Sequence, residues 1–332
     1  MSRPAIDPFG ELVRAPHAAR FDVLGARVSA RSNSEELLAL TRAAFGALPA
    51  QRLLSRPPPL ELDLVLGEGG GMRGEPPRPR LKSAGGVLIG AIDAGNFALV
   101  DPRRRRALVC VDRALLAWSQ RVRYELIEFA LYTLVPRVLD LVPLHAACVG
   151  FDGRGVLLTG EAGAGKSTAS LVCGEAGFEL LSEDAVFVDI PSLRAVGCAN
   201  FLHVRTDAFG MLAASTRAVA RQAPVVRRHS GVRKFELDLR CPPFRPARKP
   251  LEVVATIALS RRHARGKRLL EPMSSAQLAT HLEREQPYAR AQQGWRSFLR
   301  RMQSRPAFRL LRGAHPQDSA PVLRALLDEG LP

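Results

Sequence analysis

The chain has 332 residues, 46% of them hydrophobic, and a formal net charge of +16 from 48 Lys and Arg against 32 Asp and Glu. That is enough for two modest domains or one large one, with apolar content for a sizeable core. Five cysteines (Cys110, Cys148, Cys173, Cys198, Cys241) lie scattered without CxxC spacing, which argues against a disulfide framework and a zinc site and for buried or idle thiols in a reducing compartment.

The N-terminal MSRPAIDPFGELVRAPH has no apolar signal core, so a cytoplasmic location is expected. Residues 20 to 66 read as strand, helix, strand. FDVLGARVSA alternates, SNSEELLALTRAAFGALP has apolar residues at helical spacing with Ser32 or Ser34 as N-cap, and LELDLVLGE alternates again. Gly67 to Gly86 is rich in Gly, Pro and Arg and predicts a mobile loop, either a surface insertion or a basic loop touching phosphate. GVLIGAIDAGNFALVDPRRRRALVCVD predicts strands joined by turns, with Asp101-Pro102 opening a turn whose tip and exit carry Arg103 to Arg106. YELIEFALYTLVPRVLDL predicts an apolar helix interrupted near Pro136. The longest apolar stretch, Leu126 to Val149, is broken by Pro136, Arg137, Asp140 and Pro143, so no membrane span is expected.

The character changes at Leu144. LHAACVGFDGRGVLLTG is two strand-like runs around Asp152-Gly153, a hairpin-turn dipeptide. This predicts an α/β protein of two parts: a smaller mixed α/β domain over 1–140 and a second domain over 141–332. The second continues through strand-like LHVR, a basic loop RQAPVVRRHSG, VRKFELDL, the apolar run VVATIALS and the helical SSAQLATHLERE. WRSFLRRMQ reads as a helix packing Trp295, Phe298, Leu299 and Met302 on the core, with a partner-binding or membrane-surface helix as the other reading. AFRLLRG and a final helix, SAPVLRALLDEG, close the chain.

Positive charge raises the question of nucleic acid. Only five residues are lysine, the arginines are dispersed, and aromatics are few, so stacking platforms are scarce. No nucleic-acid partner is expected.

Gly160, Glu161, Ala162, Gly163, Ala164, Gly165, Lys166 and Ser167 match GxxxxGK[ST] in full, and Thr168 follows. An apolar strand enters the motif and a helical stretch leaves it. Glycines let backbone N–H groups approach phosphate oxygens, and the helix start adds its free N–H groups. Lys166 can reach the β- and γ-phosphates, and the Ser167 hydroxyl can hold Mg²⁺. The pattern points to ATP with Mg²⁺ as cofactors. One strand later stand two adjacent acids, Glu183 and Asp184. One carboxylate can hold the metal while the other takes a proton from an acceptor hydroxyl.

These residues together resemble the C-terminal catalytic domain of HPr kinase/phosphorylase and related kinases, including those of lasso-peptide gene clusters. More distantly they resemble phosphoenolpyruvate carboxykinase. The resemblance rests on an ordered series from Leu144 to Val188: LHAACVG with His145, a hairpin into GVLLTGEAGAGKS, a helix ending near Gly177, then LLSEDAV. It implies a P-loop-containing mixed-sheet kinase core and transfer of the γ-phosphate to a serine of a peptide or small protein. It also implies that Glu183 is the general base paired with His145, and that Asp184 lies at the metal. His145 alone also reads as a core histidine. The family's acid pair is usually Asp-Asp. Glutamate at 183 is one methylene longer, and a displacement of about 1 Å at a base costs on the order of 10²-fold, which separates transfer from binding. A nucleotide-binding module without transfer is therefore the alternative. No HPr-binding signature is recognisable downstream, so HPr itself is not the expected acceptor, and a homo-oligomer is left open. Arg205, Arg233 and Lys234 are the cations the order of strands suggests near the γ-phosphate.

Overall fold

The computed structural model describes residues 14–53, 58–69 and 74–328. Residues 1–13, where the missing signal core was read, lie outside them, as do 70–73 within the Gly/Pro/Arg-rich segment. Contacts divide the chain into two compact units: Met1–Phe21, Ala26–Gly46 and Pro58–Val138 in the first, and Asp22–Gly25, Ala47–Pro57 and Leu139–Pro332 in the second. Two short pieces from the front of the chain thus belong with the second unit.

In the first unit the strands are β1 (His17–Val23), β2 (Ala26–Ser32), β3 (Leu60–Gly67), β4 (Arg80–Ala84), β5 (Val87–Ala91), β6 (Phe97–Asp101) and β7 (Arg106–Asp112). Among the described residues they form a seven-stranded sheet in the order β1-β2-β3-β7-β6-β5-β4. β3 is parallel to β2, because the helix α1 (Glu35–Phe45) carries the chain across, and it is parallel also to β7, which the chain reaches through β4, β5 and β6. Ser34 caps α1, its side chain accepting from the Leu37 N–H. The helical pieces α2 (Arg113–Leu116) and α3 (Ser119–Arg121) lead through a π-helical stretch, Val122–Glu128, into α4 (Phe129–Val138). Phe45 of α1 meets Tyr132 of α4 edge to face, with ring centroids 5.8 Å apart.

Three expectations change here. FDVLGARVSA is not one strand, for Leu24 and Gly25 both take positive φ (51° and 85°) and turn the chain between β1 and β2. The segment 67–86 is not wholly a loop, since β4 pairs antiparallel with β5 through residues 80–84. Every residue of β4 is exposed at the sheet edge, so the strand has no apolar alternation to betray it. Pro136 does not interrupt its helix, since α4 runs two residues past it to Val138.

The second unit begins with β8 (Leu141–His145), β9 (Ala147–Phe151) and β10 (Arg154–Thr159). Asp152 and Gly153 take positive φ between β9 and β10, making the hairpin turn. Then come α5 (Lys166–Glu175), β11 (Glu179–Ser182), β12 (Ala185–Asp189), β13 (Arg194–Gly197), β14 (Phe201–Val204), α6 (Ala214–Gln222), β15 (Val225–Arg227), β16 (Arg233–Asp238) and β17 (Arg245–Pro246). The expected basic loop RQAPVVRRHSG thus holds the end of α6 and all of β15. The thirteen-residue β18 (Leu251–His263) and the short β19 (Leu270–Pro272) follow. The helices α7 (Ser275–Glu285), α8 (Pro287–Arg290) and α9 (Trp295–Gln303), then β20 (Ala307–Arg312) and α10 (Ser319–Asp328) complete the unit.

The main sheet runs β17-β11-β9-β10-β18-β13-β12-β8, with β20 and β19 added beside β18. β10, β18 and β20 are mutually parallel, while β9, β11, β12, β13 and β8 pair antiparallel, so the sheet is mixed. β14, β16 and β15 form a separate three-stranded sheet. One apolar cluster gathers β9, β10, α5, the small sheet and α10; a second gathers β8, β12, β13, α7 and α9. Trp295, Phe298 and Met302 of α9 are buried in the second cluster, with Leu299 packed against it, as the core reading of this helix expects. No helix among the described residues is long and apolar enough to cross a membrane. All five cysteines are free, and burial pushes the Cys148 and Cys173 thiols up to about 12.

Candidate functional site

The loop between β10 and α5 has a shape that only glycines allow at its corners. Gly160, Gly163 and Gly165 take φ of +146°, +79° and +110°. A Cβ on Gly160 would stand 3.2 Å from the Leu259 carbonyl oxygen, so β18 also closes the loop from one side. The Lys166 side chain turns back over the loop and its Nζ donates to the Gly160 carbonyl at 2.7 Å. Arg261 Nη2 donates to the Ala162 carbonyl at 2.7 Å from the end of β18. Lys166 is 8% exposed, and desolvation lowers its pKa against the raising effect of Asp184, Glu285 and Glu183. α5 leaves the loop at Lys166, and Gly165 supplies no capping side chain, so the first N–H groups of the helix remain directed at the loop.

The acid pair sits in the link between β11 and β12. β11 pairs with β9, and β12 pairs with β8 so that Ala185 stands opposite His145. That register brings Asp184 to His145: Nδ1 and Oδ1 are 3.1 Å apart, and both side chains are more than half exposed. Glu183 turns the other way, into the protein. Its side chain is 11% exposed, and Oε2 accepts from the Ser167 hydroxyl at 2.7 Å. The geometry is therefore the reverse of the pairing that the resemblance implies. His145 faces Asp184, and Glu183 faces the hydroxyl expected at the metal. Adjacent residues beside a strand point to opposite sides, so the register alone decides which acid meets which partner.

The electrostatics follow the contacts. The hydrogen bond to Asp184 raises the His145 pKa against desolvation, with the Asp184 charge adding to the rise and Lys166 opposing it. Desolvation pushes the Asp184 carboxyl up, but the hydrogen bond and charge of His145, with Lys166 and Arg228, hold it below its ordinary value. Arg228 thus joins Lys166 among the cations acting on this corner. Arg205, suggested by strand order, is exposed and pairs with Asp207 at 2.9 Å, while Arg233 and Lys234 lie on β16 in the register with β15.

Three residues that sequence patterns do not single out complete the arrangement. His203 of β14 is buried between two carboxylates, with Nδ1 3.8 Å from Glu183 and Nε2 3.4 Å from Glu236 of β16. Desolvation lowers the His203 pKa, yet hydrogen bonding to Glu183 and Glu236 leaves it raised on balance. Gln286, 2% exposed at the end of α7, accepts from the His145 N–H at 2.7 Å and donates to the His145 carbonyl at 3.0 Å. β8 is the last strand of the sheet, so this one amide supplies the donor and acceptor that a further strand would have provided.

No group of three or more His, Cys, Asp or Glu able to hold a metal occurs among the described residues. A hydroxyl and one carboxylate, Ser167 and Glu183, are instead the sparse hard-oxygen set that Mg²⁺ accepts when substrate phosphates complete its shell. The residues present therefore fit a magnesium nucleotide.

No family model matches the chain, and no curated protein matches it. Among solved structures it is similar to the HPr(Ser) kinase/phosphatase from Coxiella burnetii. The two share 16% sequence identity over 57% of this chain and 99% of that one, at a TM-score of 0.29.

Proposed function

We propose that the second unit binds Mg-ATP at Gly160–Thr168 and transfers the γ-phosphate to a serine hydroxyl of a peptide or small protein. The observation that carries this reading is the division of the acid pair. Glu183 engages the P-loop hydroxyl at 2.7 Å, and Asp184 stands toward solvent, paired with His145 at 3.1 Å. A binding module needs the first contact only; an exposed carboxylate oriented by a histidine beside a phosphate cradle is the equipment of a general base.

In this reading the backbone N–H groups of the loop and of the first turn of α5 hold the phosphate oxygens, and Lys166 neutralises them. Ser167 and Glu183 would hold Mg²⁺, which supplies charge neutralisation on the phosphate oxygens when bound. His203 and Glu236 keep Glu183 in place from behind. Asp184 takes the proton of the acceptor hydroxyl as its oxygen bonds to the γ-phosphorus, while the bond to the β–γ bridging oxygen breaks and ADP leaves. His145 holds the Asp184 carboxylate in position and stays on the side of the charge it pairs with. The longer side chain thus falls at the metal position and the base keeps the shorter one, which removes the geometric objection to transfer that Glu183 raised as a base.

The test is a transfer assay with γ-labelled ATP, Mg²⁺ and a panel of serine peptides and soluble proteins. Asp184→Asn should retain ATP binding and lose on the order of 10²–10⁴-fold in transfer. Glu183→Gln should raise the Mg²⁺ concentration needed, and Lys166→Ala should lose ATP. Transfer by Asp184→Asn at the wild-type rate, or ATP binding with no labelled acceptor in any arm, would refute the kinase reading.

A further inference from the structure

The exposed side of α8 and α9 carries positive charge with few acids to balance it. Two adjoining grooves, of about 620 and 670 Å³, meet at Ser297 and Arg300. Arg290, Arg296 and Arg300 stand in the larger, and Arg300, Arg301 and Arg305 in the smaller. Arg305 pairs with Glu252 at 2.9 Å. Arg290, Arg296, Arg300 and Arg301 are exposed, and among the described residues none of these four has a carboxylate within ion-pair distance. Among the described residues Glu283 is the one acid in the walls of the two grooves.

Helix stability does not account for this placement. Arg296 lies in the first turn of α9, where the helix dipole opposes a cation, and it stands four residues before Arg300, where like charges repel. Arg300 and Arg301, in the last turn, are the two that the dipole favours. Trp295 adds a further unmet donor. It is 4% exposed and forms part of the larger groove's wall, and its Nε1–H has no acceptor among the described residues. Guanidinium and indole groups only donate, so whatever covers this surface has to bring acceptors.

The surface begins at the catalytic corner. The Arg290 N–H donates to the Gln286 carbonyl at 2.9 Å, which puts the first arginine one helical turn from the amide that holds His145. α9 starts at the other end of β12 from Asp184, since a Cβ on Gly294 would stand 2.7 Å from Ile190. β12 has five residues, a span of about 16 Å. The chemistry narrows the occupant. A lipid surface would need an apolar side to insert, and that side of α9 is buried in the core through Trp295, Phe298 and Met302. A nucleic-acid strand would need exposed aromatic faces for its bases, and α9 presents none. Carboxylates match the planar fork of a guanidinium two oxygens at a time.

We infer that this surface docks an acidic segment of the acceptor, a run of Asp or Glu about five to ten residues from the serine that receives the phosphate, at about 3.3–3.6 Å of extended chain per residue. The inference rests on the peptide-acceptor part of the proposed function and adds a recognition element to it.

The experiment measures binding of fluorescein-labelled octaglutamate to the full chain by anisotropy at low salt. Wild type runs beside Arg296→Glu with Arg300→Glu, and beside Arg265→Glu with Lys267→Glu, which changes the net charge equally in the exposed turn before β19. Thermal unfolding and ATP binding check each variant, and Arg296→Gln with Arg300→Gln takes over where charge reversal unfolds the chain. The α9 variant should bind octaglutamate at least tenfold more weakly than wild type, and the control within about twofold. ATP affinity should stay within about twofold in both. In the transfer assay, a serine peptide carrying an acidic run should show a KM at least tenfold higher with the α9 variant, at unchanged kcat. Octaglutamate bound equally by wild type and the α9 variant would overturn the inference, as would an equal loss in the control. Tighter binding of an eight-nucleotide single strand or of phosphatidylserine vesicles, lost in the α9 variant, would overturn it in favour of another polyanion. Wild-type transfer that is indifferent to the acidic run would overturn the link to the acceptor. Octaglutamate binding that depends on α9, with no transfer to any peptide, would instead refute the kinase reading and leave the docking surface standing.

Discussion

Gln286 offers the sharpest test of how the catalytic corner is held. Replacing it by alanine removes both partners of the His145 backbone, the N–H bond at 2.7 Å and the carbonyl bond at 3.0 Å. Each bond contributes about 0.5–1.5 kcal/mol net, and a buried group left unpaired costs about 1–3 kcal/mol. Gln286 is almost fully buried, so water cannot simply take its place at full strength. His145 itself is more than half exposed, which lets one of its backbone groups find solvent. These opposing facts put the loss at about 2 kcal/mol, near the single-bond net values summed. Gln286→Ala should therefore lower the urea midpoint without changing the slope. It should also loosen β8 at the residue that orients Asp184, so transfer should fall while ATP affinity stays near wild type. A loss below about 0.5 kcal/mol, with the His145 ring titrating as in wild type, would refute the account of an amide completing the sheet edge.

Other consequences can be measured independently. In the nucleotide-free protein the His145 ring should titrate above the ordinary histidine range by NMR, and Asp184→Asn should bring it down, since the Asp184 bond is the largest cause of the rise. The sign for stability follows: a raised folded pKa stabilises below the unfolded pKa, about 6.5, and that contribution is lost as pH rises through the folded value. His203→Leu leaves Glu183 and Glu236 facing each other in the interior and should cost about 3–5 kcal/mol. His203→Leu with Glu236→Leu should cost less than the single change, and strict additivity in that cycle would argue against the cluster. Phe298→Ala in α9 empties a fully buried site and should cost about 3–5 kcal/mol in chemical denaturation; a near-neutral result would mean α9 does not pack as described.

The cradle was legible because its residue types are demanded locally: three glycines at positive φ and a lysine at the helix start leave a fixed spacing in the chain. The presence of the acids was legible for the same reason. Their division was not, because Glu183 and Asp184 are chain neighbours, and only the pairing of β12 with β8 and of β11 with β9 decides which faces His145. The register of β11 shifts between Leu180 and Ser182, and such a shift leaves no compositional trace. Gln286 stands 141 residues from His145, and His203 and Glu236 are 33 residues apart, so no spacing rule links them. β4 was hidden by composition, since an exposed edge strand of Arg, Leu, Lys, Ser and Ala, with its one leucine also exposed, lacks the alternation that marks a half-buried one.

The burial of Lys166 also has a consequence for chemical reactivity. The chain has five lysines among 48 basic residues, so amine-directed reagents meet few targets. Four of them, Lys82, Lys234, Lys249 and Lys267, are exposed or half-exposed, whereas Lys166 is buried against its own loop. Its lowered pKa makes the neutral, nucleophilic amine more populated there than at an ordinary lysine, while its burial screens it from bulky reagents. A small acylating agent and a large one should therefore label this protein differently at one residue, and that difference reports on the cradle without any substrate in hand.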